Sequence, residues 1–157
     1  MNSLTTCSEV LPPWDSSESA LSAAGLIVGQ IPAFSDIYSG PEDYLKKRDP
    51  DYYSMYVLTE QDLGLIAASL VIHNELDVHN GLYTRISAFV VDRTNRGKNH
   101  GRELIQFIAA QTILRHDPTI VVAPAKRSIG FYRRVGFSKN AQWRGDFDAT
   151  PQAVLAH

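Results

Sequence analysis

The chain has 157 residues, 44% of them hydrophobic and 20% charged, with a formal net charge of −2; that is ordinary for one globular domain with its own core and excludes a disordered or fibrous protein. No stretch approaches the roughly 20 apolar residues of a membrane span, and a near-neutral balance lacks the basic footprint of a nucleic-acid binder, so neither membrane nor nucleic acid is an expected partner. A single cysteine, Cys7, excludes an internal disulfide, and five scattered histidines lack the close pairs of a metal site.

The net charge hides an asymmetry. Residues 1–80 carry 12 Asp/Glu and 3 Lys/Arg, a balance of −9, and residues 81–157 carry 5 and 12, a balance of +7. The positive half suits a polyanionic ligand and the negative half a cationic one, or the two halves attract one another on folding. No basic leader followed by an apolar run opens the sequence, so a cytoplasmic location is the expectation.

In chain order, the opening through Trp14 is irregular. Asp15 with Glu18 reads as a capping box, and Leu21, Ala24 and Val28 form a stripe, which predicts a helix over 16–29 ending at Gly29. Residues 31–38 read as an aromatic-containing loop. A short helix then starts at Pro41, with Glu42 and Asp43 at its positive end, and closes at Asp49-Pro50.

Residues 52–60 and 63–73 are successive strand candidates, residues 74–81 the next turn with Asn80-Gly81 as its signal, and residues 82–91 the third strand of a meander. Ile86 to Val91 is a buried, β-branched run. From Gly101 onward Leu104, Ile105, Ile108, Ala109 and Thr112 recur at steps of three and four, the period of an amphipathic helix, which Asp117-Pro118 ends.

Residues 119–123 form a β-branched strand candidate, parallel to residues 86–91 because a helical crossover joins them. A helix over 126–135 and closing strands over 141–147 and 153–156 complete a single-domain α/β (α+β) reading: one mixed sheet with helices on both faces.

Between strand and helix lie Arg96, Gly97, Lys98, Asn99, His100, Gly101 and Arg102. Turn-tolerant residues there present backbone N–H groups at a helix N-terminus among fixed cations, which suits a phosphate or pyrophosphate. The alternative is a strand-to-helix turn with solvated charges.

The run Val91 to Gly101 resembles the acyl-CoA loop of the GNAT superfamily of N-acyltransferases: Arg96 and Gly101 stand at its first and last motif positions, and Asn99 replaces the middle glycine. Asn is the residue besides glycine that best tolerates positive φ. Ser128 to Phe137, SIGFYRRVGF, resembles the family's later segment, with Ser128 for the usual Ala and Ala125 where many members have Asn.

The resemblance implies a GNAT-like fold: a mixed, mostly antiparallel sheet, a first strand over Leu4 to Val10, and a parallel strand pair that splays. It implies acetyl-CoA as acyl donor without a metal, backbone contacts from Phe89, Val90 and Val91, pyrophosphate held by Arg96 to Arg102, and further cofactor contacts from Ser128 and Phe131. By the same resemblance Tyr132 stands as general acid. Glu75 or His73 is a candidate base, Asp92 and Glu103 are further candidate acids that flank the loop, an amine on a small molecule or a protein is the acceptor, and a homodimer is among the implied assemblies. Two rival readings are a non-catalytic acyl-CoA-binding module and a nucleotide-binding loop. The latter lacks the Gly-Lys-Ser/Thr ending that places a hydroxyl on Mg²⁺.

Overall fold

The computed structural model describes residues 4–157. It divides into two compact units, residues 4–71 with Ala88–Leu104, and Ile72–Ser87 with Ile105–His157. Seven strands form one mixed sheet, β1 Thr5–Glu9, β2 Tyr53–Glu60, β3 Gly64–Asp77, β4 Gly81–Val91, β5 Ile120–Val122, β6 Ser138–Lys139 and β7 Phe147–Ala149, in the order β1-β2-β3-β4-β5-β7-β6.

In the first unit β1 pairs antiparallel with β2, from Thr5 opposite Glu60 to Glu9 opposite Tyr56. Period-two alternation gives β2 two buried faces, because Met55 and Val57 point one way and Tyr56 and Leu58 the other, and all four are buried. Met55 and Val57 share a core with Ala68, Leu70, Ala88 and Val90 and with α1 (Glu18–Gln30), which contributes Ala20, Ala23, Ala24, Ile27 and Val28. Small residues on α1 let it lie close to the sheet, and full burial of Ile27 alone is worth about 2 kcal/mol. Tyr44 and Leu45 of α3 (Pro41–Lys46) complete that core.

The helix starts and ends differ from expectation for local reasons. Ser17, not Asp15, caps α1: its Oγ accepts from the Ala20 N–H at 3.1 Å, and the helix runs past Gly29 to Gln30. The stretch expected as a loop contains a six-residue helix, α2 (Pro32–Ile37), with Pro32 in the first turn where its missing N–H is harmless. β3 continues to Asp77, so the turn before Gly81 (φ 85°) is shorter than expected.

In the second unit β5 lies parallel to β4, Thr84 opposite Ile120 through Ile86 opposite Val122. The predicted crossover is α4 (His100–Leu114). β7 pairs antiparallel with β5, and β6 with β7. Tyr83, Val121 and Trp143 form a core cluster, with the Tyr83 and Trp143 rings 4.7 Å apart. Residues 126–128 make a 3-10 turn that leads into α5 (Ile129–Arg134).

The expected closing strand over 153–156 is a helix instead, α6 (Pro151–Ala156). Thr150 caps it through an Oγ1 contact of 3.1 Å from the Ala153 N–H, and Pro151 fills its first turn. Residues 141–143 form a 3-10 turn, and the strand there is Phe147–Ala149. Among the described residues no helix is long and apolar enough to cross a membrane.

Candidate active site

The loop that follows β4 is built inside the first unit. Alternation along the end of β4 buries Ala88 and Val90 and leaves Phe89 and Val91 half-buried. The ladder to β5 stops at Ile86, while β4 runs on to Val91. Asp92 then turns the chain: its N–H donates to the Ile66 carbonyl at 2.7 Å, and its carboxylate accepts from the Thr94 N–H and Oγ1, each at 3.0 Å. A 3-10 turn over Arg93–Asn95 leads to Arg96.

Two residues of the loop have left-handed backbone, Gly97 at φ 84° and Asn99 at φ 64°. Asn99 therefore does at its position what a glycine would do. At Gly97 nothing lies within 4 Å of where a Cβ would stand, so the main chain is open to close approach. α4 begins at the next residue after Asn99, whose carbonyl accepts the Glu103 N–H at 3.1 Å. The first-turn N–H groups of α4 thus follow two outward-turned residues, an arrangement that accepts an anion.

The side chains around the loop divide their tasks. Arg96 is exposed, with Nε donating to the Val91 carbonyl at 3.3 Å and Nη2 to the Gln30 side-chain oxygen at 3.1 Å, so it ties the loop to the ends of β4 and α1. Lys98 is exposed and Arg102 half-buried. The His100 ring lies 3.5 Å from the Glu103 carboxylate, whose other oxygen accepts from Thr5 Oγ1 at 2.6 Å. Glu103 is thereby an anchor between α4 and β1. Cys7 lies beside it, its thiol pushed up to about 11 by burial and by the Glu103 charge, and stays protonated at neutral pH. Loop backbone and cations fit a diphosphate.

Tyr132, Phe131 and Ser128 lie together in the second unit, at and before α5. Tyr132 is buried, with Phe131 and Phe137 edge-on to it at 5.1 and 5.4 Å. Burial raises its phenol well above the ordinary value, so the group keeps its proton at neutral pH. Gly136, at φ 104°, lets the chain turn after α5: a Cβ there would meet the Ala153 carbonyl oxygen of α6 at 3.3 Å.

His73 and Glu75 lie on β3 in the same unit. His73 Nδ1 is 2.9 Å from Thr84 Oγ1, which donates to Asp117 at 2.7 Å, and Asp117 also accepts from the Asn74 N–H and Nδ2. Burial first, and the Arg115 charge second, push His73 down to about 4, against the opposing pull of Asp117. His73 is thus a neutral member of a buried network. That network surrounds Thr84, the first residue of the β4–β5 pairing. Glu75 lies beyond it toward the β3–β4 turn, whereas Tyr132 follows the other end of β5. The phosphate-loop residues belong to the first unit, and Glu75, Ser128, Phe131 and Tyr132 to the second.

Sequence reading missed the partners that hold these groups, Gln30 and Thr5, and a cluster of Tyr38, Tyr44 and Tyr53 around Arg48. The available signal for the last was the position of Lys46, Lys47 and Arg48: they are the only three cations of the acidic half, and they are consecutive. Among the described residues no group of His, Cys, Asp and Glu is placed to hold a metal ion.

The chain is similar in fold to several solved structures. Tetrahymena GCN5 superposes with a TM-score of 0.68 at 12% identity, covering 96% of each chain. A chain of the KacTA–DNA complex superposes at 0.70 and 12%, also covering 96% of each. The IAA acetyltransferase of Bacillus cereus does so at 0.61 and 14%, covering 87% of this chain and 79% of that one. At such identities the likeness is one of fold alone. No curated protein matches the sequence. Residues 51–139 match the model of the acetyltransferase (GNAT) domain, a segment that holds the β4–loop–α4 unit and the turn into α5, and on that match the chain belongs to the GNAT acetyltransferase family.

Proposed function

We propose that this protein transfers an acetyl group from acetyl-CoA to a primary amine by direct attack within a ternary complex. The observation that carries the reading is the loop: Gly97 and Asn99 both in left-handed backbone, directly before the first turn of a fifteen-residue helix, with Arg96, Lys98 and Arg102 around them. A diphosphate is the ligand that uses N–H donors and cations together.

Acetyl-CoA would supply the acyl group as a thioester. On this reading the main chain of Phe89 to Val91 orients its pantetheine arm, and an N–H there stabilises the developing oxyanion without reorganising. Gly97 to Gly101 and the three cations, with the His100 N–H among them, take the pyrophosphate. Ser128 and Phe131 take the remaining cofactor contacts. Tyr132, protonated because it is buried, has the general acid's role toward the leaving thiolate. Glu75 is assigned the base's role at one remove, through ordered water. Much of the rate comes from holding both reactants.

One observation favours the second reading, a non-catalytic acyl-CoA-binding module: Tyr132 is enclosed between two phenylalanines. Calorimetric titration with acetyl-CoA and with CoA, beside an Arg96→Ala, Gly101→Glu variant, is the first test. Binding by the native chain and not the variant assigns the loop. Release of free thiol in the presence of an amine then separates enzyme from module. Absence of binding by the native chain would overturn both.

A further inference from the structure

Arg48 is a cation held by aromatic rings, and among the described residues no carboxylate pairs with it. Its guanidinium carbon lies 4.2 Å from the centre of the Tyr44 ring, 5.1 Å from that of Tyr38 and 5.8 Å from that of Tyr53, and Nη2 donates to Tyr38 Oη at 2.7 Å. Among the described residues no hydrogen bond of good geometry reaches the enclosed Nε or the neighbouring hydroxyl of the fully buried Tyr44. Carboxylates close in sequence are engaged elsewhere: Asp43 accepts from the Ser39 N–H at 3.1 Å and from Lys47 Nζ at 3.3 Å, and Asp49 from the Asp51 N–H at 2.9 Å.

A half-buried charge with no counter-charge is costly, and the three ring faces offset only part of that cost, which leaves the guanidinium able to gain from an anion. Three aromatic contacts orient this one, from Tyr38, Tyr44 and Tyr53, and Phe34 supports two of those rings, packing on Tyr38 and Tyr44 at 5.5 and 5.8 Å. Ordering has therefore been completed before any ligand arrives, which is what makes a planar fork of donors an effective receptor. The partner that matches the fork is a carboxylate. Arg48 lies outside residues 51–139, the segment that matches the family model.

The surroundings narrow the ligand. Arg48 sits in the compact unit of residues 4–71 with Ala88–Leu104, which carries 12 Asp/Glu and 7 Lys/Arg, a balance of −5. The net field of that unit disfavours a simple anion, and a phosphate dianion more, while it attracts an ammonium group. A molecule with both an amine and a carboxylate satisfies the field and the receptor together.

We propose that Arg48 is the docking point for the carboxylate of the acceptor, and that the acceptor is a small zwitterionic amine of amino-acid type. This assignment of the acceptor rests on the acetyl-transfer reading, whereas the carboxylate site itself does not.

The test uses the enclosed Nε–H as its reporter, since shielding slows its exchange with water and makes its nitrogen-correlated NMR signal observable. The full-length protein is titrated with sodium acetate at constant ionic strength, with sodium chloride as the reference salt. A saturable movement of the Arg48 Nε signal with acetate and not chloride is expected, and so is its weakening in Tyr38→Phe, which keeps the arginine and the fold. A signal unmoved by acetate up to roughly 0.1 M, the range in which one charged pair binds, overturns the site.

Turnover forms the second arm, with α-amino acids compared with their amides. Acids are expected to exceed amides about 10-fold or more in kcat/KM, as for a charge-assisted pair; Arg48→Lys should erase most of that difference through KM. Equal use of acids and amides overturns the acceptor assignment. Acetyl-CoA binding on the same sample separates the two claims: binding with an unmoved Nε signal removes the carboxylate site alone, and a moving signal without binding removes the acetyl-transfer reading alone.

Discussion

Arg96 Nη2 donates to the side-chain oxygen of Gln30 across 3.1 Å, so the last residue of α1 holds the first cation of the loop. This is a contact between positions 66 residues apart. It fixes one long side chain that would otherwise lose rotamer freedom when a ligand binds. Gln30→Ala is therefore expected to weaken acetyl-CoA binding about 2- to 5-fold, the worth of one exposed hydrogen bond, with Arg96→Ala costing more than that. Calorimetry on the two variants checks it. Tighter binding by Gln30→Ala would mean that Gln30 competes with the ligand for Arg96.

Asn99 at φ 64° makes a second expectation specific. Glycine adopts that conformation freely and a β-branched residue does so with strain, so Asn99→Gly should leave stability within roughly 0.5 kcal/mol while Asn99→Val costs about 1–2 kcal/mol or more. Denaturant unfolding of both variants measures this. A Val variant as stable as the native chain would show that the loop has a second conformation open to it.

Residues whose role depends on local backbone were legible in the sequence. Asn99 was expected to stand in for glycine and does; the parallel pairing of Ile86 and Val122 follows from the crossover that α4 makes. Elements of four to six residues were less legible, because short apolar runs do not separate helix from strand. Ala153 to Ala156 reads as a strand until Thr150-Pro151 is taken as a cap and first turn. Contacts between distant elements left no pattern to read. Thr5 meets Glu103 across 98 positions, which turns a candidate flanking acid into an anchor.

His73 makes stability depend on pH in a stated direction. Its ring is 3% exposed and its folded value lies near 4, against an ordinary 6.5. Above about pH 6.5 the ring is neutral in both states and contributes no pH dependence. As pH falls from 6.5 towards 4 the unfolded chain takes up a proton that the folded chain refuses, so stability falls through that window by up to about 3 kcal/mol. Urea unfolding at pH 7.5, 5.5 and 4.5 should show the loss in the native chain and a much smaller loss in His73→Gln. Equal slopes would place the titration elsewhere.

Tyr132 separates packing from chemistry, because Tyr132→Phe removes one oxygen and keeps the ring between Phe131 and Phe137. If the phenol is the acid, kcat falls by about 10²-fold, the usual contribution of a positioned proton donor, while acetyl-CoA affinity stays the same. Burial keeps the native phenol protonated across the neutral range, so the native pH–rate profile should show no limb from this group between pH 6 and about 9. Unchanged kcat in Tyr132→Phe with unchanged binding would make Tyr132 a packed core residue, with the leaving thiolate protonated from solvent. A fall in Glu75→Gln of the same size as in Tyr132→Phe would support the carboxylate's part as base, whereas an unchanged rate would leave deprotonation of the amine to ordered water alone.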